Sequence, residues 1–152
     1  MGTTRTDAPE TTTFTAAERA AMKERAAELR AESARGSRAA RAAQAEAEVV
    51  AKIAEMPPAD RALAERFHAL VREQAPQLAP RTWYGMPAYA KDGKVLCFLK
   101  PAEKFGSRYV TIGFEDPAAL DDGELWPTSY ALTAWTDEVE SVLAGLVRRA
   151  AG

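Results

Sequence analysis

Apolar and polar positions divide the chain into a helical first half and a second half with a shorter period. Over residues 16–35 almost every position is Ala, Arg, Glu or Lys, all good helix formers. Thr15 stands where an N-cap belongs, and Glu18 three residues later completes a capping box. Only Met22 and Leu29 are sizeable apolar groups in this run, a stripe too thin to anchor a helix firmly. Gly36 and Ser37 interrupt it. A second helical run follows over residues 38–56 and turns apolar late, at Val49, Val50 and Ile53. Pro57 and Pro58 open a third helix over residues 59–75, where Leu63, Phe67, Leu70 and Val71 share one face. Pro76 and Pro80 close it.

Beyond Pro80 the period changes to two. Residues 86–90 and 94–100 flank "KDGK", in which Asp92-Gly93 predicts a type I′ hairpin. Residues 108–114 and 128–133 read as a third and a fourth strand. A last helix over residues 137–150, capped by Thr136, puts Val139, Val142, Leu143, Leu146 and Val147 on one face. The fold class expected is therefore α+β, a small antiparallel sheet of about four strands packed in layers with helices. The domain organisation expected is a disordered lead-in (1–13), a solvated Ala/Arg/Glu-rich helical arm (14–47) and an α+β domain (48–152).

Charge and composition narrow the function classes. Lys and Arg number 20 against 22 Asp and Glu, without the basic excess that a general nucleic-acid binder uses to displace counterions. Arg38 and Arg41 have no interleaved aromatics for base stacking. The lone cysteine, Cys97, excludes an internal disulfide and fits a reducing compartment. Residues 1–13 lack an apolar leader, and no apolar run approaches about 18 residues. A cytoplasmic location with no membrane span is expected. The lone histidine, His68, has no second His or Cys nearby to make a zinc site. No Ser or Cys nucleophile sits in a recognisable motif, so a non-enzymatic role is expected.

Two stretches offer chemistry. "TWYGMPAY" sets Trp83, Tyr84, Met86 and Tyr89 around Gly85 and Pro87. One reading is a bulged edge strand that turns Trp83 and Tyr84 into the core against Phe98, Tyr109 and Trp126. The other is a shallow aromatic pocket formed with Trp126, its tyrosine hydroxyls serving as polar anchors. Further on, Glu115, Asp116, Asp121, Asp122 and Glu124 lie in a segment, residues 109–147, that contains no Lys or Arg. Oxygen-rich clusters suit hard cations; the same acids also suit turns and a helix N-terminus. The arm supplies a third possibility, a surface that packs on a partner.

From about Pro58 onward, "PQLAPRTWYGMPAYAKDGKVLCFL", "YVTIGF" and "LDDGELWPTSYAL" resemble the YdhG-like family, a bacterial domain of unknown function. The match covers roughly two-thirds of the chain, and the arm resembles the N-terminal extension of actinobacterial members. The resemblance implies a compact α+β domain comparable to frataxin. One branch is proposed to act as a frataxin-like iron chaperone that delivers iron to iron–sulfur or haem assembly proteins. Carried over through "LDDG", it points to Asp121 and Asp122, with Glu124 beside them, as iron-binding carboxylates. The helix over residues 59–75 departs from frataxin, whose first helix is densely acidic: here Asp60, Glu65 and Glu73 alternate with Arg61, Arg66 and Arg72.

Overall fold

Capping residues set the helix boundaries. In the computed structural model, which describes residues 13–34 and 37–152, α1 spans Ala16–Ala34, α2 Arg38–Ala54, α3 Pro58–Gln74 and α4 Asp137–Ala151. The capping box forms: Glu18 N–H donates to Thr15 Oγ1 at 3.0 Å, and Thr15 N–H to Glu18 Oε1 at 3.3 Å. Ser37 caps α2 by accepting from Ala40 N–H at 3.3 Å, and Thr136 caps α4 by accepting from Val139 N–H at 3.1 Å. Pro58 occupies the first turn of α3, where its missing N–H has no helical partner to lose. The lead-in expected over residues 1–13 lies outside the described residues apart from Thr13, and so does the break expected at Gly36.

Five strands, one more than expected, make an antiparallel meander in the order β1-β2-β3-β4-β5. They are β1 Ala79–Trp83, β2 Met86–Lys91, β3 Lys94–Lys100, β4 Val110–Phe114 and β5 Ser129–Leu132. Pro80 hides β1 in the sequence, but β1 is an edge strand, where proline is tolerated. "WYGM" is itself a two-residue hairpin that closes on the Trp83–Met86 pair, with φ of 53° at Tyr84 and 73° at Gly85. Positive φ at both central residues is the type I′ pattern, and Asp92 and Gly93 repeat it at 51° and 80°. In such a hairpin the closing pair is hydrogen-bonded and the next one, Thr82–Pro87, is not, so Pro87 leaves no bond to β1 unmade. Pairing of β2 with β3 begins at Ala88–Phe98. The irregularity expected near Trp83 lies instead between Tyr89 and Ala90.

Register sends the strand side chains to two faces. Tyr89, Cys97, Leu99, Ile112 and Phe114 join Val49 and Ile53 of α2, Phe67 and Val71 of α3, and Leu143 and Val147 of α4 in one core. Full burial of each aliphatic or aromatic side chain there contributes about 1.5–3 kcal/mol. Val50, expected to dock with its neighbours, is 51% exposed. The opposite face of the sheet carries Trp83, Met86, Ala88, Phe98, Lys100 and Thr111.

The described part of α1 is not a solvated arm; it folds back beside β1. Ala21 is only 3% exposed, and three acids follow it at one-turn spacing on the same face. Glu24 meets Lys104 Nζ at 2.9 Å and Lys52 Nζ at 3.0 Å. Glu28 Oε1 accepts from Gly85 N–H at 3.0 Å. Glu32 meets Arg81 at 3.4 Å. Leu29 points away, 50% exposed. The thin apolar stripe understates how this helix is held, because Glu24, Glu28 and Glu32 add ionic and hydrogen-bonded contacts that a hydrophobic pattern does not register. Residues 38–44, the first turns of α2, do remain exposed.

An aromatic cleft beneath the first helix

The outer sheet face is built by strand alternation. On β3, Cys97 and Leu99 point to the core, which places Phe98 and Lys100 outside. Trp83, at the end of β1, stacks edge-to-face on Tyr84 (centroids 5.0 Å apart, 79°) and tilts against Phe98 at 5.4 Å. Phe98 lies across Gly113 of β4, where any Cβ would overlap the far edge of its ring. The missing side chain lets the ring lie close to the sheet. Phe105, in the loop after β3, holds Lys100 Nζ 5.0 Å from its ring centroid, a cation–π contact.

The first turns of α1 form the facing wall with Phe14, Glu18, Ala21 and Met22. Together with Trp83, Tyr84, Met86, Phe98, Lys100 and Phe105 they enclose a cleft of about 430 Å³. Small-molecule sites typically span ~300–1,000 Å³ and combine apolar walls with a few polar groups. Phe14 is 52% exposed, and the other four rings are half-buried. Glu18 is engaged in the capping box. Lys104 is neutralised by Glu24. Among the described residues, no carboxylate stands within ion-pair distance of Lys100, whose ammonium contacts the Phe105 ring.

Gly85 separates this cleft from a second one of about 430 Å³, lined by Glu24, Lys52, Glu55, Met56 and Lys104 among others. The second cleft is internally ion-paired. Burial pushes the Glu24 carboxyl up, but hydrogen bonds from Lys104 and Lys52 outweigh it and hold the group below its ordinary 4.5. For Lys52, burial works downward and Glu24 prevails, raising it above 10.5. Half-exposed pairs of this kind contribute roughly 0.2–1 kcal/mol each. The Gly85 carbonyl accepts from Lys104 Nζ at 3.4 Å, and a Cβ at Gly85 would overlap both Glu24 and Lys104.

The sheet divides the pocket expected from "TWYGMPAY". Trp83, Tyr84 and Met86 line the aromatic cleft, and Gly85 turns the hairpin at its edge. Pro87 is fully buried. Tyr89 faces the other way: it is 0% exposed, stacks edge-on against Phe67, and places its hydroxyl 2.9 Å from His68 Nδ1. Trp126, in the β4–β5 loop, packs against the core rather than beside Trp83. His68 Nε2 lies 3.6 Å from Glu46, which also pairs with Arg72 at 3.0 Å. Burial, the largest effect, lowers the His68 pKa, and Arg72 adds to it against the upward pull of Glu46. The Cys97 thiol is buried and pushed up to about 12, far from the thiolate that reactive cysteines need.

The candidate metal residues Asp121, Asp122 and Glu124 lie exposed in the β4–β5 loop, and Glu115 and Asp116 lie exposed just after β4. Among the described residues, no group of three or more His, Cys, Asp and Glu side chains is arranged to hold a metal ion. No helix among the described residues is long and apolar enough to cross a membrane.

Phe14, Glu18, Ala21, Met22, Lys100 and Phe105 are cleft residues that sequence reasoning missed, and Phe98 was placed against Trp83 but in the core rather than on the outer face. Alternation on β3 carried the signal for two of them, since Phe98 and Lys100 sit out of phase with Cys97 and Leu99. Phe14 and Met22 required knowing that α1 folds back. Comparison with family models, with curated proteins and with solved structures finds no match for this chain, so the cleft is read from its own chemistry.

Proposed function

We propose that this chain is a small-molecule binding module whose site is the aromatic cleft between α1 and the outer face of the sheet. One observation carries the reading. Five aromatic rings converge on a concave space of about 430 Å³ while staying open to solvent, although a domain of this size ordinarily needs its rings for burial. A contiguous apolar patch rimmed by polar groups is the signature of a binding surface. The resemblance to YdhG-like domains belongs to the same proposal: it suggests the compact α+β frame and leaves the ligand to the cleft. Iron delivery through Asp121, Asp122 and Glu124 rests on that resemblance and on charge, and exposed loop carboxylates offer no convergent cage of oxygens. A partner surface on the inward face of α1 would use acids already committed to Lys52, Lys104, Gly85 and Arg81.

Met22→Trp tests this reading. Met22 lines the cleft from a half-exposed helical position, so a larger side chain there plugs the cleft without entering the core. Saturation-transfer NMR with a set of neutral aromatic fragments should give signals with the native chain and lose most of them with Met22→Trp. Equal signals from both chains, with matching thermal melts, would place the binding elsewhere and overturn the proposal.

A further inference from the structure

The two charged side chains of the cleft differ in what they face. Its walls carry one carboxylate, Glu18, and one ammonium, Lys100. Glu18 Oε1 accepts the Thr15 N–H at 3.3 Å as part of the helix cap, so it is already engaged and held at the mouth of α1. Lys100 is the last residue of β3, and its ammonium lies 5.0 Å from the Phe105 centroid. Lys104 approaches the same ring at 5.8 Å, but its charge is met by Glu24 at 2.9 Å. Among the described residues Lys100 has no anionic partner within ion-pair distance. Aromatic faces stand on the sheet side of the same space, with Trp83 and Phe98 5.4 Å apart.

Resting on the reading of this cleft as a small-molecule site, we propose that its ligand is an aromatic carboxylate, with the ring packed among Trp83, Phe98 and Phe105 and the carboxylate bound by Lys100. An ammonium held at the edge of an apolar wall is partly desolvated, where a charge-assisted hydrogen bond to a carboxylate is stronger than in open water. The arrangement selects by charge at Lys100: a neutral ring keeps the stacking and loses the ion pair, and a cationic group set against Lys100 meets repulsion.

Three probes with one ring system and different charges test this: indole-3-acetate, indole and tryptamine, titrated at low salt into the full chain and followed by amide and indole NMR signals. The expected order is indole-3-acetate first, indole roughly tenfold weaker and tryptamine weakest, with shifts centred on Met22, Trp83 and Phe105. Lys100→Met should erase the difference between indole-3-acetate and indole, and Lys100→Arg should retain it. Equal binding of all three probes, or a preference that survives in Lys100→Met, overturns the carboxylate assignment and leaves the cleft intact as a site. Absence of shifts at Met22, Trp83 and Phe105 with every probe overturns the cleft reading and this inference together.

Discussion

Tyr89 and Phe98 lie one register step apart on neighbouring strands and face opposite ways: Tyr89 into the core toward His68, Phe98 outward into the cleft. Single residues thus decide which surface is structural and which is chemical. At His68 the consequence is a pH dependence. The native pKa is lowered, chiefly by burial, from an unfolded value near 6.5. The groups facing the ring are the Tyr89 hydroxyl, Glu46 and Arg72. Below 6.5 the unfolded chain therefore binds more protons than the native one, so stability should be full above that pH and fall as pH drops toward and through the lowered native value. Glu24, also lowered, from 4.5, acts in the same direction but only at more acidic pH. Urea unfolding between pH 7.5 and 5 should show this decline, and His68→Gln should flatten it; an equal decline in the variant would assign it to other groups. That His68 neighbours the buried stripe of its helix follows from its place beside Phe67 and Val71 in the sequence. Its partner Tyr89 on β2 was not legible, because a contact across 21 residues depends on register rather than on local pattern.

At the scale of elements, the third and fourth helices and the strands flanking "KDGK" could be read directly, because each obeys one period and ends in standard turn or cap chemistry. The strand β1 and the docking of α1 could not. β1 carries Pro80, and only its place at the sheet edge makes that residue acceptable. α1 lacks an apolar stripe and is held by Glu24, Glu28 and Glu32, whose partners come from α2, β1 and two turns. Gly85 is the meeting point. Its φ of 73° disfavours any side chain, and its N–H is the donor to Glu28. Gly85→Ala should lower stability by roughly 1–2 kcal/mol from the left-handed backbone alone. It should also speed amide exchange in α1 more than in β3, since the new methyl displaces Glu24 and Lys104. Raising the salt should accelerate α1 exchange in the native chain in the same direction by screening its half-exposed pairs. Exchange in α1 that is indifferent to both would mean that the ionic contacts do not hold the helix.

For the whole molecule, the α+β class and the antiparallel meander were legible in the sequence, and the cleft only in part. "TWYGMPAY" drew attention to Trp83, Tyr84 and Met86, but Tyr89 and Trp126 belong to the core. The missing wall comes from a helix that the sequence leaves unattached. The result is a domain with two unlike surfaces: α2, α3 and α4 pack on one face of the sheet, and α1, beside the edge strand β1, walls a solvent-open aromatic space on the other. The methionines report on this arrangement independently. Met22 stands on the helical wall and Met86 on the sheet wall of the aromatic cleft, while Met56 lines the ion-paired cleft beyond Gly85. The decisive measurement is a methyl NMR titration of ¹³C-methionine-labelled protein with indole-3-acetate. The account predicts that the Met22 and Met86 methyls shift together along one saturable curve while Met56 stays fixed. A response at Met56 alone, or none at either Met22 or Met86, would contradict it.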